Sequence, residues 1–296
     1  MGKNIKVYVE FYGNPKGFPA IYLHGGPGDK CRSSNARLFN PKKYNIILMD
    51  QRGCGKSYSG KDPTVHNTTQ HLIQDMEVIR QDLNANKWLV TGGSWGASLA
   101  VLYAQAHPKR TSGLILRGFT DLCSNEFDHC VVTNMTPERI ETMYKSVGLN
   151  YLKHKERDMV RAYSKKMKST NRKTRKKYAS LFCNTEDMHA TSKPCKGSEK
   201  DNEILTKVDC HYILNKFFLE ANQIILEKNV KKIKHIPTIF VHGRYDFICP
   251  INMAYEMHKR LSHSKLVVVK AGHTIKDKEI AVAVTKASDD FKLPKK

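Results

Sequence analysis

One five-residue stretch constrains the fold of this chain more than any other. Residues Gly92 to Gly96 read Gly-Gly-Ser-Trp-Gly, the pattern G-x-S-x-G, between the apolar run 88–91 and the amphipathic stretch 97–107. This order predicts a strand, a sharp turn and a helix, with Ser94 held on a strained backbone at the tip of the turn. Ser94 is therefore a candidate nucleophile, although the bare pattern also fits a glycine-rich loop that only turns the chain.

A serine nucleophile needs a histidine base and a carboxylate that orients the base. In hydrolases built on this turn, the chain order is serine, then acid, then histidine. Downstream, the apolar run 238–242 is soon followed by Asp246, and the run 266–269 is followed by His273. Both residues would then follow strand ends, where a parallel sheet presents its catalytic loops. The sequence therefore predicts a triad of Ser94, Asp246 and His273, in which the side chains of Ser94 and His273 meet within hydrogen-bond reach and Asp246 lies behind His273.

A second glycine-rich stretch near the N-terminus completes this constellation. The apolar residues 21–23 lead into His24-Gly-Gly-Pro-Gly28. Glycines let backbone N–H groups converge on a developing oxyanion, and the N–H of Trp95, the residue after the nucleophile, can supply a further donor. We expect this stretch and Trp95 to form the oxyanion hole.

Strand and helix patterns alternate along most of the chain, which predicts an α/β fold with a mostly parallel sheet covered by helices on both faces. Residues 68–83, for example, have helical spacing of apolar side chains. From about residue 120 the sequence becomes polar and rich in helical patterns, and the alternation returns near residue 233. We therefore predict a catalytic domain of residues 1–119 and 230–296, with an inserted helical cap of residues 120–229 that closes over the site.

One segment contributes +10 of the net charge of +22. Residues 153–177 contain twelve Lys or Arg against Glu156 and Asp158. Such a face attracts nucleic acid, anionic lipid or acidic protein non-specifically. Because no aromatic platform or nucleic-acid motif accompanies it, a solvated charged surface is the favoured interpretation over nucleic-acid binding.

Several other classes of protein fit the chain poorly. No apolar stretch reaches the length of a membrane span, and residues 1–10 lack the apolar core of a signal peptide, so we expect a cytoplasmic protein without a membrane partner. The eight Cys residues lack the paired spacing of a disulfide framework, which favours free thiols.

We also expect neither a metal nor a cofactor. Cys183, His189 and Cys195 could be drawn as metal ligands, but no fourth ligand has suitable spacing. The stretch 50–57 ends in Gly-Lys-Ser like a phosphate-binding loop, yet it lacks the first glycine of G-x-x-x-x-G-K-[ST].

Taken together, the motifs resemble the prolyl iminopeptidase family of α/β-hydrolases over nearly all of residues 1–119 and 230–296. The words that carry the resemblance are His24-Gly-Gly-Pro-Gly28, Asp50-Gln-Arg-Gly-Cys-Gly55, Gly92-Gly-Ser-Trp-Gly-Ala97, Tyr103-Ala-Gln-Ala-His-Pro108, Leu116-Arg-Gly118, His242-Gly-Arg-Tyr-Asp246 and Ala271-Gly-His273. The resemblance implies a metal-independent serine peptidase that removes an N-terminal residue, preferably proline, from small peptides with a free N-terminus. Under it, the triad positions fall on Ser94, Asp246 and His273, and the oxyanion region on Gly25, Gly26 and Trp95.

The predicted cap departs from the family. Its members carry a Glu, in a word like Arg-Ile-Glu-Asn-His-Tyr-Phe, that holds the substrate's free α-amine; the comparable run here, Lys207 to Ile213, places Asp209 at that position. Asp keeps the negative charge but is one methylene shorter. The cap also lacks the tryptophan-rich segment of the family, because Trp88 and Trp95 are the only two tryptophans and lie outside it.

Two further hypotheses remain open at this point. The same triad serves any acyl group, so an esterase or amidase with changed specificity would share these motifs. A protein that keeps the fold and uses its basic cap to hold an anionic partner is the other alternative, against which the complete triad argues.

Overall fold

A seven-stranded sheet forms the centre of the molecule. The computed structural model describes residues 5–122, 137–191 and 197–293. Within these ranges the strands are β1 (Tyr8–Gly13), β2 (Phe18–Leu23), β3 (Tyr44–Asp50), β4 (Trp88–Gly93), β5 (Thr111–Arg117), β6 (Thr238–Gly243) and β7 (Ser264–Val269). The apolar runs 21–23, 88–91, 238–242 and 266–269 of the sequence lie within β2, β4, β6 and β7, respectively.

The strands lie in the order β1-β3-β2-β4-β5-β6-β7. Only β1 runs antiparallel to its neighbour, β3, and all other pairs are parallel. Since parallel strands end at the same edge of a sheet, the loops that follow β2, β4, β5, β6 and β7 lie side by side there. All six residues of β4, in the middle of this row, are buried.

Nine α-helices lie in the described ranges, and the helix expected over residues 68–83 is one of them. The helices are α1 (Thr69–Asp82), α2 (Trp95–Ala106), α3 (Pro137–Ser146), α4 (Glu156–Met167), α5 (Arg172–Thr191), α6 (Glu199–Leu214), α7 (Glu227–Ile233), α8 (Ile251–Arg260) and α9 (Lys278–Asp290). Thr68 begins α1 as its N-cap, because its hydroxyl accepts a hydrogen bond from the backbone N–H of His71.

Helices cover both faces of the sheet, as the sequence predicts. Successive residues of a strand point to opposite faces; Ile21 and Leu23 of β2 pack with α1, α2 and α8 in one apolar cluster, whereas Ala20 and Tyr22 pack with α9 in the other. A buried sheet of this kind needs apolar residues on both faces of its central strands, which explains why β2 and β4 read as continuous apolar runs.

Helices α3 to α7 occupy the chain between β5 and β6, where the sequence predicts the inserted cap. Their buried side chains, among them Tyr163, Phe182 and Tyr212, continue the apolar cluster that contains α2. The division into two domains at residues 119 and 230 stays a prediction. The basic segment falls on α4, on α5 and on the residues between them.

The described cysteines are unbridged. Cys54, Cys183, Cys210 and Cys249 are buried free thiols and Cys31 is partly buried; the other three cysteines lie outside the described residues. Within the described parts of the chain, each helix is too short or too polar to cross a bilayer.

Candidate active site

Ser94 sits at the turn between β4 and α2, as the sequence predicts. Its backbone has φ 57° and ψ −129°, a positive φ that a residue with a side chain rarely adopts. The Ser94 N–H donates to the carbonyl oxygen of Arg117 at 2.8 Å, which ties the turn to the end of β5. Buried strands therefore hold the strained turn in place, with the serine side chain at its tip.

The two outer glycines of the turn are required by close packing. A Cβ at Gly96 would lie 2.2 Å from the carbonyl oxygen of Leu23, and a Cβ at Gly92 would lie 2.1 Å from the carbonyl oxygen of Gly96. Any side chain at either position would collide with backbone. The spacing of G-x-S-x-G thus reflects how closely α2 passes the ends of β2 and β4.

Asp246 and His273 meet in the loops that follow β6 and β7. The His273 Nδ1 lies 2.8 Å from the Asp246 Oδ2, and both residues are buried. The other carboxylate oxygen of Asp246 accepts from the backbone N–H groups of Ile248, at 3.0 Å, and Cys249, at 2.9 Å. Burial acts to raise the pKa of Asp246, but the facing His273 and the N–H of Cys249 outweigh it, so this pKa lies below its ordinary value.

His242 packs behind this pair and was not singled out in the sequence. Its Nε2 lies 2.7 Å from the carbonyl oxygen of Cys249 and 3.5 Å from the Asp246 Oδ2. Because a carbonyl only accepts, Nε2 carries the hydrogen. Burial lowers the pKa of His242. A neutral His242 therefore backs Asp246 and leaves that carboxylate to His273.

Arg117, at the end of β5, contacts His273 directly. Its Nη1 donates to the His273 carbonyl oxygen at 2.8 Å and lies 3.2 Å from the His273 Nε2. Since a guanidinium only donates, Nε2 accepts, and the ring hydrogen stands on Nδ1, which donates to Asp246. This is the tautomer that a general base requires.

We expected Ser94 Oγ to hydrogen-bond His273 Nε2. Instead, the Nε2 faces Arg117, and Ser94 Oγ makes no hydrogen bond with any residue that the structure describes. The reason is local: Arg117 is buried, permanently charged, and lies close enough to Gly93 that a Cβ there would be 2.1 Å from the guanidinium. In the sequence, Arg117 was noted only as part of the family motif Leu116-Arg-Gly118, and no role was assigned to it.

The glycine-rich loop after β2 lies against the serine. A Cβ at Gly25 would be 3.2 Å from the Cβ of Ser94 and 3.7 Å from its Oγ. A buried network holds this loop: Gln51 N–H donates to His24 Nε2 at 3.0 Å, and the Gln51 side chain bonds both the His24 carbonyl and the indole N–H of Trp95. The backbones of Gly25, of the adjacent Gly26 and of Trp95 are thus drawn together around Ser94.

Asp209 lies on α6, the helix that crosses this loop. Leu205, one turn earlier on the same helix face, is so close to Gly28 that a Cβ there would be 2.8 Å from the Leu205 Cα. Asp209 is buried. The helix thus carries Asp209 on the face that meets the loop beside Ser94.

An aromatic cluster that the sequence did not predict covers Trp95. The Phe217 ring stacks on Trp95 with centroids 5.6 Å apart, and Tyr212 meets it edge-on at 5.2 Å. Both partners follow or belong to α6 and are separated from Trp95 by more than a hundred residues, so no local pattern could have paired them.

The described residues contain no group of three or more His, Cys, Asp or Glu side chains that could hold a metal. Of the three possible ligands weighed in the sequence, Cys183 is a buried thiol 3.6 Å from the carbonyl oxygen of Asn202. The His189 side chain and Cys195 lie outside the described residues.

Comparison with solved structures supports the fold. An α/β-hydrolase from a Medee basin deep-sea metagenome library matches with a TM-score of 0.63 and 14% identity, over 99% of this chain and 97% of its own. An esterase from Thermogutta terrifontis matches with a TM-score of 0.62 and 19% identity, over 97% of this chain and 92% of its own. At such identities the likeness concerns the fold alone.

Comparison of sequences is more specific. The pattern of the alpha/beta hydrolase fold family matches residues 19–279. A probable proline iminopeptidase from Leptolyngbya boryana is 36% identical over 96% of this chain and 90% of its own length. Proline iminopeptidases from Neisseria gonorrhoeae and Arabidopsis thaliana are each 35% identical, over 98% and 97% of this chain and 93% and 77% of their own lengths. The resemblance drawn from the motifs is confirmed, and the chain belongs to the proline iminopeptidase family of α/β-hydrolases.

Proposed function

We propose that this protein is a serine aminopeptidase that releases an N-terminal residue, preferably proline, from small peptides. The observation that carries the proposal is the hydrogen-bonded pair of Asp246 and His273 at the strand edge that also presents Ser94. Membership of the proline iminopeptidase family supplies the reaction class. The same pair also speaks against a protein that only binds an anionic partner.

Ser94 attacks the carbonyl carbon of the peptide's first residue, and the Nε2 of His273 takes the hydroxyl proton. For this step the imidazole turns from the Arg117 guanidinium to the serine Oγ. Asp246 keeps the Nδ1–H oriented and stabilises the charge that the ring gains. His273 then protonates the leaving nitrogen, so the amide bond breaks and the first residue remains as an ester on Ser94.

Backbone N–H groups hold the negative oxygen of the tetrahedral intermediate. The N–H groups of Trp95 and of the Gly25-Gly26 loop are the donors that we assign, because this loop packs on the serine. Water, deprotonated by His273, then hydrolyses the acyl-enzyme and frees the amino acid.

Asp209 is the anchor that we assign to the substrate's free amine. It is the buried acid on the α6 face that meets the loop at Gly28. A carboxylate here neutralises the cationic N-terminus inside a segment that is otherwise strongly basic. An acid shorter than the family's Glu places the amine differently relative to Ser94, which is the specific reason to keep an esterase or amidase of the same fold as the second candidate.

The proposed location is the cytoplasm, in keeping with the buried, unbridged thiols among the described cysteines. The peptide substrate is the only partner that the proposal requires.

The test is release of the chromophore from a proline anilide, with an alanine anilide and a simple ester as competing substrates. We expect proline to be preferred and the variants Ser94→Ala and Asp209→Asn to lose this activity. Asp209→Glu, which restores the acid of the family, should retain or raise it. Ester turnover with no cleavage of any amine-bearing substrate would favour the second candidate instead.

Folding controls accompany this test. Asp209 is buried, so each variant is checked by its melting temperature and by labelling of Ser94 with a serine-directed phosphonate. An Asp209→Asn variant that still labels but does not cleave proline anilide has lost the amine anchor rather than the fold. Full proline activity in that variant would remove Asp209 from the assignment.

A further inference from the structure

Two sequence features that the peptidase reaction does not use meet at one cleft. The cleft has a volume of about 350 Å³ and lies between the loop 53–63 and the N-terminal turns of α5 and α6. The loop contains the Gly-Lys-Ser word, and α5 contains part of the basic segment. None of Ser94, Asp246, His273 or Asp209 lines this cleft.

The Gly-Lys-Ser word itself does not form a phosphate-binding loop. The side chain of Asp50 occupies its inner side, where one carboxylate oxygen accepts from the Cys31 N–H at 2.7 Å and the other from the Lys56 N–H at 2.9 Å. The Lys56 ammonium turns away to Glu10, at 2.7 Å. The chain thus supplies its own anion at this point, and the cleft lies on the other side of the loop.

The lining of the cleft carries an excess of positive charge. Its charged residues are Lys61, Arg172, Lys176, Lys200, Lys207, Glu199 and Glu203. Five cations against two carboxylates leave a surplus of three charges. Asp62, within the same loop, directs its carboxylate to the backbone N–H and the hydroxyl of Thr64.

The two carboxylates are already shared among neighbouring cations. Glu199 pairs with Arg172, at 3.3 Å, and with Lys176, while Glu203 pairs with Lys207, at 2.7 Å, and with Arg175. Among the described residues, Lys61 and Lys200 have no ion pair. These two ammonium groups are the ones free to meet an anion in the cleft.

A buried hydroxyl points to the same conclusion. Ser59 lines the cleft, is only 8% exposed, and its Oγ has no hydrogen-bond partner within the described part of the chain. A buried hydroxyl without a partner is destabilising, so such groups normally have a ligand or water to bond. A phosphate oxygen would accept from this hydroxyl and from the surrounding cations together.

We propose that this cleft binds a small molecule that carries one or more phosphate groups. The surplus of three charges suits a multiply charged phosphate better than a single carboxylate, and Arg172 supplies the planar donor fork that phosphates favour. The cleft volume lies at the lower end of the range for small-molecule sites. This volume exceeds the space that one bare phosphate needs.

The test is calorimetric titration of the full chain with inorganic pyrophosphate at constant ionic strength. The Ser94→Ala variant serves as the parent, so the result does not depend on peptidase activity. We expect saturable binding that weakens at least about tenfold in Lys61→Ala/Lys200→Ala, because two charge-assisted contacts are lost. Ser59→Ala should weaken binding by a smaller factor.

Lys165→Ala/Lys168→Ala is the matched control. It removes the same charge from exposed positions of the basic segment outside the cleft, and binding should stay within about twofold of the parent if the contacts are local. Equal weakening in both double variants would show diffuse attraction and overturn the proposal. Absence of saturable binding, or binding of a single-stranded oligonucleotide but not of pyrophosphate, would overturn it as well.

Discussion

The strand-edge loops and the helical segment between β5 and β6 hold their functional groups in different ways. Ser94, Asp246 and His273 lie within four residues of strand ends in a buried sheet, so backbone hydrogen bonds fix their positions. Asp209 lies on α6, and the cleft residues Lys176, Lys200 and Lys207 lie on α5 and α6, helices that pack through side chains. The difference implies that the reaction is set by the sheet, whereas ligand choice is set by a segment that can diverge more freely.

The largest effect should come from the strand edge. Ser94→Ala should lower kcat on proline anilide by about 10⁶-fold, because the nucleophile of a triad cannot be replaced by its neighbours. Labelling by a serine-directed phosphonate should disappear with it. The measurement is the rate on proline anilide with enzyme checked by melting temperature.

Ser98→Ala is the matched control for this variant. It removes a hydroxyl one turn along α2, where Ser98 donates to the Thr120 carbonyl at 2.6 Å. Activity should stay within a few-fold of the parent, with a stability loss of about 1 kcal/mol. A comparable loss of activity in both variants would mean that the helix, and not the nucleophile, had been damaged.

Removal of Arg117 should have the next largest effect. In Arg117→Leu, His273 loses a charge-assisted hydrogen bond to its carbonyl oxygen, worth about 1.5–3 kcal/mol, so kcat/KM should fall by about 10- to 100-fold. Phosphonate labelling should persist because the triad itself remains. Measuring the rates of hydrolysis and of phosphonate labelling on the same variant checks that kcat/KM falls while labelling persists.

Arg110→Leu is a suitable control for the arginine substitution, since its exposed guanidinium donates to the Asn86 side chain, at 2.8 Å. Its activity should match the parent. Faster turnover in Arg117→Leu would instead mean that the guanidinium chiefly competes with Ser94 for the His273 Nε2, and that the bond to the carbonyl oxygen does not matter.

Acid should lower the free energy of unfolding through the protonation of Asp246. The pKa of Asp246 is lower in the folded protein than in the unfolded chain, so its stabilising contribution is fully present above its ordinary pKa, near 4, and is lost as the pH falls through the lowered value. Urea unfolding at a series of pH values below 5 should therefore show a smaller loss of stability in Asp246→Asn than in the parent. If the free energy of unfolding fell equally with pH in Asp246→Asn and in the parent, the lowered pKa of Asp246 would not contribute to stability.

These residues also show how far the sequence could predict the site. Strand ends and glycine spacing are local features, and from them the sequence predicts that Ser94, Asp246 and His273 each follow a strand, which is where they lie. Their roles as a catalytic triad stay a prediction. The contact of Arg117 with a histidine 156 residues away depends on how β5 and β7 flank β6. No periodicity records such a contact.

The packing around the end of α6 could not be predicted from the sequence either. Phe217, just after α6, stacks on Trp95, which lies more than a hundred residues earlier in the chain. The N–H groups that bond Asp50 come from Cys31 and Lys56, which are closer in sequence but follow no periodic pattern. The sequence shows that the Gly-Lys-Ser stretch lacks the first glycine of a phosphate-binding loop, and the structure adds that the Asp50 carboxylate occupies its inner side.

The smallest effect should come from the ion pair that joins the two regions. Lys30, just after the glycine-rich loop, bonds Asp201 of α6 at 2.9 Å, with both side chains about one-third exposed. An exposed pair contributes less than about 1 kcal/mol, so Lys30→Ala should lower the melting temperature by no more than about 2 °C and raise KM for proline anilide by a few-fold at most. Lys145→Ala breaks a pair with Glu141 inside α3 and should leave KM unchanged.

If Lys30→Ala raised KM tenfold or more, and if that rise vanished at high salt, a single surface contact would be setting how α6 sits over the loop. The close approach of the Leu205 backbone to Gly28 would then be too weak to position the helix, and ligand choice would be far more sensitive to surface charge than the buried contacts imply.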